Sequence, residues 1–133
     1  MSALQKQAWF NLAVVVATIA LVLSLYPSIG AKSMGGFGLF GLIGLGVLFQ
    51  WRRHGQVVND ERDTAINRVA IAWAYAVMWA AIVLCALAAP SIYGDAVPMP
   101  VVQNFVWWAF MLLITVQSIV TLVIYHRGAA DVG

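Results

Sequence analysis

Long apolar runs broken by short polar stretches organise this chain. The pattern predicts an all-α integral membrane protein, a four-helix bundle with spans at about 8–26, 34–51, 66–89 and 105–125. Outer loops are expected at 27–33 and 90–104, and a cytoplasmic loop at 52–65. The apolar run 9–25 exceeds the 7 to 15 residues of a signal-peptide core, so it is read as an uncleaved first span. Pro27 and Pro90 are expected to end the first and third spans.

Each span carries its own signature. The second is rich in glycine and has no pair at i,i+4; instead Gly35, Gly38, Gly41 and Gly44 recur every three residues. On an α-helix that row drifts slowly and lets a neighbouring backbone approach, which makes Gly38, Gly41 and Gly44 candidate packing positions. A hinge or substrate path along the same stripe is the alternative, because glycine weakens a helix by up to about 1 kcal/mol per residue. The third span carries Ala72/Ala76/Ala80 and Ala81/Cys85/Ala89 at i,i+4, two rows that suit a helix packed on two sides. Span four is followed by His126, Arg127 and a small polar tail, expected to be mobile.

Composition reinforces the membrane reading. Hydrophobic residues make up 63% of the 133 and charged residues 9%, against the roughly 25% charged of soluble domains. A single transmembrane domain, 1–133, leaves no room for a separate soluble one. The net charge of +2 follows topology rather than a nucleic-acid patch, so no nucleic-acid partner is expected. Lys6, Arg52, Arg53, Arg62, Arg68 and Arg127 fall on one side of the predicted bundle and Lys32 alone on the other. The positive-inside rule then places both termini in the cytoplasm, N-in/C-in, with the protein in the cytoplasmic (inner) membrane.

Candidate chemistry is sparse. Arg68 lies at the inner end of the third span, and no other acidic or basic residue falls within the predicted spans, which argues against a proton-driven transporter. His54 and His126 lie at the cytoplasmic edge, so a haem between helices is not expected, and neither lysine is placed for a retinal Schiff base. The sequence thus predicts no cofactor. Cys85 is the only cysteine and has no disulfide partner within the chain. Asn11, Thr18, Ser24, Thr115, Gln117, Ser118 and Thr121 are weakly polar span residues, best explained by interhelical hydrogen bonds of about 0.6 kcal/mol each.

The one strongly polar stretch runs from Arg52 to Asp63. Asn59 or Asp60 suits the N-cap of the third span, and Asp60, Glu61 and Asp63 complement its positive end. A functional reading sets Asp60, Asp63, Thr64 and Asn67 on one polar face that docks a partner, with Glu61, Arg62 and Arg68 beside it. A metal site from His54, Asp60 and Asp63 lacks the spacing of known ligand sets. The run Asp60-Glu61-Arg62-Asp63-Thr64-Ala65-Ile66-Asn67-Arg68 resembles the D-E-R-[DE]-x-x-I segment that precedes a membrane helix in a group of small, uncharacterised prokaryotic multi-span proteins grouped as a domain of unknown function. That resemblance implies a membrane fold and no particular activity.

The functional expectation is a non-enzymatic membrane protein acting by association, as an accessory subunit or regulator, through its cytoplasmic loop. Its partners would be the bilayer and either its own copies or another membrane protein. The alternative is a small oligomeric transporter or channel for a neutral or apolar solute.

Overall fold

A computed structural model of the chain describes residues 1–50 and 61–130. All regular structure among them is helical: α1 (Ala3–Ile29), a 3-10 helix (Gly30–Gln50), α2 (Glu61–Tyr93) and α3 (Met99–Ala130). Three helical stretches are long and apolar enough to cross a membrane, namely Ala3–Gly46, Glu61–Tyr93 and Met99–Gly128. The chain is a membrane protein with transmembrane helices.

The expected four-helix bundle is corrected by this architecture. The described chain contains three α-helices, and the segment expected to form the second span is not one of them. Its residue chemistry explains the difference. Six glycines between Gly35 and Gly46 each weaken an α-helix by up to about 1 kcal/mol relative to alanine. Three residues per 3-10 turn instead bring positions i and i+3 directly into line, which matches the three-residue repeat of this segment.

α1 starts with a capping box. The Gln5 N–H donates to Ser2 Oγ at 3.2 Å, and the Ser2 N–H donates to Gln5 Oε1 at 2.8 Å. The helix therefore begins well before the apolar run. Leu4, Ala8, Asn11, Val14, Val15, Thr18 and Val22 form its buried stripe, while Trp9, Val16 and Leu23 face outward as lipid-facing residues do. Pro27 lies in its last turn, and Gly30, at φ +57°, supplies the left-handed residue that turns the chain.

The 3-10 helix then runs back along α1. A Cβ on Gly36 would sit 3.0 Å from Val22 Cγ2, and one on Gly46 would sit 3.0 Å from Gln7 Nε2. Between these points the 3-10 helix rises about 20 Å at ~2.0 Å per residue, and α1 covers about 22 Å at ~1.5 Å per residue. The two rises agree. Phe37 and Phe40 are buried on its inward line, with Met34 and Ile43 partly buried along it.

The main core joins Val14, Val15 and Val22 of α1, Phe37 and Phe40 of the 3-10 helix, and Met111 and Ile114 of α3. Phe37 stacks on Trp107 at 5.7 Å between centroids and meets the edge of Trp108 at 5.6 Å. Such aromatic pairs add about 0.5–1.5 kcal/mol beyond area burial. α2 packs on α3 through Asp63, Ile66, Ala70 and Ala74, and beyond Ala74 it buries no side chain. Pro90 lies within α2, which Gly94 terminates at φ +70° with its N–H on the Pro90 carbonyl. α3 begins at Met99 with Pro100 in the first turn, where a missing N–H leaves no helical bond unmade, and it continues past Arg127 to Ala130.

Candidate functional site

Polar side chains converge where the N-termini of α1 and α2 meet the C-terminal turns of α3. Asp63, in the first turn of α2, is buried at 7% exposure, and the Tyr125 hydroxyl of α3 donates to its Oδ1. Ser2 Oγ, the cap of α1, donates in turn to the Tyr125 hydroxyl at 3.0 Å. One carboxylate and two hydroxyls thereby tie three helices. Leu4, Ile66 and Tyr125 form the apolar cluster around them, with Ile124 against it.

Arg62 lies over the outer face of this knot, its guanidinium carbon 5.9 Å from the Tyr125 ring centroid, within cation–π range. Gly128 makes room for it: a Cβ there would stand 2.5 Å from an Arg62 guanidinium nitrogen. The last turn of α3 is thus shaped to accept an arginine from α2.

One helical turn further into the bundle, Asn67 sits four residues after Asp63 on the same face of α2. Its Oδ1 accepts from Gln117 Nε2 of α3 at 3.2 Å. Beside this pair lies a cavity of about 90 Å³, lined by Gln7, Asn11, Asn67, Gln117, Ser118 and Thr121 together with the aliphatic Leu4 and Ala8. The Thr121 hydroxyl donates to the Gln117 carbonyl at 2.8 Å. Asn11 Oδ1 and Ser118 Oγ are buried without a hydrogen-bond partner.

The residues singled out from sequence are distributed unevenly over this site. Asp63, Arg62 and Asn67 take part in it, with Asp63 and Asn67 turned toward α3. Glu61 and Arg68 are exposed, while Asp60 lies outside the described residues, as do His54 and the cap candidate Asn59. Ala72, Ala76 and Ala80 are exposed on α2. A Cβ on Gly35, Gly38, Gly41 or Gly44 would meet nothing within 4 Å.

Ser2, Gln7 and Tyr125 are not among the sequence candidates, and Asn11, Gln117, Ser118 and Thr121 enter only as weakly polar residues. A signal for them does exist. Gln117, Thr121 and Tyr125 recur every four residues on α3, opposite Asp63 and Asn67 at the same spacing on α2. Among the described residues no three His, Cys, Asp or Glu side chains come together in a way that could hold a metal ion. Compared with known proteins, the chain matches no family model, no curated protein and no solved structure.

Proposed function

We propose that this is a non-enzymatic membrane protein that works by lateral association in the bilayer, as an accessory or regulatory subunit. The observation that carries the reading is the outward placement of its small residues. Gly35, Gly38, Gly41 and Gly44 line one open face of the 3-10 helix, and Ala72, Ala76 and Ala80 are exposed on an α2 whose outer half buries nothing. Lipid contact alone is met by bulky apolar side chains, such as the exposed Leu23, Leu84 and Leu87. Rows of small residues instead favour close approach of a second helix, because association in lipid depends on packing rather than on hydrophobic exclusion.

The protein sits in the cytoplasmic (inner) membrane as a multi-pass protein with both termini in the cytoplasm. The Ser2–Tyr125 hydrogen bond, which brings the start of α1 to the last turns of α3, supports this arrangement, as does the clustering of Lys6, Arg62, Arg68 and Arg127 toward that end. Because Asp63 and Asn67 are engaged inside the bundle, the cytoplasmic contact with a partner falls to the exposed Arg68. Native mass spectrometry in lipid nanodiscs tests the association. A defined assembly that Ala76→Leu or Gly41→Leu disperses supports it, and a wild-type monomer at all concentrations removes it.

A further inference from the structure

We infer that the cleft between the first turns of α1 and the last turns of α3 binds an anionic phospholipid, with the phosphate at its mouth and the start of an acyl chain along its floor. The inference does not depend on how the protein associates. It rests on the donor character of the cleft's polar groups and on the order in which polar and apolar side chains follow one another into the membrane.

The cleft has a volume of about 510 Å³. Gln5 and Trp9 line it from α1, and Leu122, Val123, His126 and Arg127 from α3. On both helices the polar residues come at the end of the bundle and the apolar ones further in. Trp9 lies four residues inward of Gln5, about 6 Å, and Leu122 five residues inward of Arg127, about 7.5 Å, at ~1.5 Å per residue. This shared order of polar mouth and apolar floor suits a molecule that is charged at one end and aliphatic at the other. Trp9 is 56% exposed and Val123 43%, so the floor opens toward the lipid rather than into the bundle.

Charge selects the headgroup. Gln5 Oε1 accepts the Ser2 N–H in the capping box, so the group Gln5 has left to offer is its amide nitrogen, a donor. The hydroxyl of Tyr125, which also lines the cleft, is engaged by Ser2 and Asp63. Arg127 supplies a planar fork of N–H donors that matches a phosphate, the Trp9 indole only donates, and His126 has a ring N–H. Among the described residues that line the cleft none is acidic. A second guanidinium, that of Arg62, lies 5.9 Å from the centroid of the Tyr125 ring. Basic pockets between membrane helices are where anionic headgroups bind. A headgroup of net negative charge is favoured over a zwitterionic one, because no carboxylate in the lining would meet an ammonium group.

Native mass spectrometry of the full chain in a mild detergent gives the test, with phosphatidylglycerol and phosphatidylcholine of identical acyl chains titrated in turn. Phosphatidylglycerol should bind the more tightly, and Arg127→Gln should raise its dissociation constant about fivefold, the effect of one basic residue at a membrane surface. Arg68→Gln removes the same charge from an exposed position at the same end but outside the cleft, and should change the constant far less. Val123→Trp keeps every charge and fills the floor, and should also weaken binding. Arg127 and Val123 are both exposed, and melting curves establish that each variant keeps its fold. Equal affinity for the two lipids would overturn the inference, as would a loss with Arg68→Gln as large as with Arg127→Gln, or binding that Val123→Trp leaves untouched. Displacement of phosphatidylglycerol by an equal concentration of soluble glycerol phosphate would also overturn it, by making the cleft a site for free phosphate esters.

Discussion

The Tyr125 hydroxyl receives a hydrogen bond from Ser2 and gives one to Asp63, so a single oxygen holds the first turns of two helices against the last turns of a third. Its removal leaves a buried carboxylate without its partner, and an orphaned buried polar group costs about 1–3 kcal/mol, more when charged. Tyr125→Phe should therefore destabilise by at least about 1 kcal/mol in reversible unfolding from mixed micelles. Asp63→Leu in the same background removes the orphan. The double variant is expected to lose less than the sum of the two single losses, by about 0.5–3 kcal/mol of coupling. Strict additivity would show that the contact carries no net stability. Gly128 makes a separate prediction at this scale, because Gly128→Ala would drive a methyl into the Arg62 guanidinium. That arginine must swing off the Tyr125 ring, with a loss of about 0.5–1 kcal/mol for a partly exposed cation–π contact.

The 3-10 helix raises a different question, namely why a segment read as α-helical adopts the tighter form over 21 residues when 3-10 runs rarely exceed four. Its glycine row was visible in the sequence but was placed on an α-helix, where a three-residue repeat drifts. With three residues per turn the same row runs straight, and so does the line through Phe37 and Phe40 that meets the core. Apolar periodicity offered no arbitration, because a segment surrounded by lipid and helices is apolar on every side. The three long α-helices were legible for the opposite reason: each is long, glycine-poor in its middle and bounded by turn residues. Asp63 was legible only as an acid near a helix start. Its partner Tyr125 lies 62 residues away along the chain, and Ser2, which donates to Tyr125, lies 61 away, both beyond the reach of local pattern. Because Gly38, Gly41 and Gly44 face open space, alanine fits at all three without a clash and favours the α form by up to about 1 kcal/mol per site. Spin labels at the exposed Lys32 and Leu45 should report a backbone separation near 26 Å in the wild type, at ~2.0 Å per residue. The triple alanine variant should move it toward about 20 Å, at ~1.5 Å per residue. An unchanged separation would mean that packing of Phe37 and Phe40, not glycine, fixes the 3-10 form.

At the scale of the whole molecule, the start of α1 meets the last turns of α3 and the α2–α3 turn lies far from them. α2 has 33 residues and is about 50 Å long at ~1.5 Å per residue, well beyond a hydrocarbon core of about 30 Å. The turn at Gly94 and Asp95 must then emerge on the side opposite Asp63 and Tyr125. Since Lys6, Arg62, Arg68 and Arg127 cluster at the Ser2–Tyr125 end, that turn should face the periplasm, and alkaline phosphatase inserted after Asp95 should be active, while the same enzyme fused after Gly133 should be silent. A cytoplasm-active reporter such as green fluorescent protein should give the reverse pattern. Activity of phosphatase at both positions would break the link between Ser2, Tyr125 and a common end of the bundle, and would require α3 to leave the membrane on the side where α2 ends. Activity at Gly133 alone would keep that link and invert the protein, and in that case the exposed Arg68 would meet a partner outside the cytoplasm.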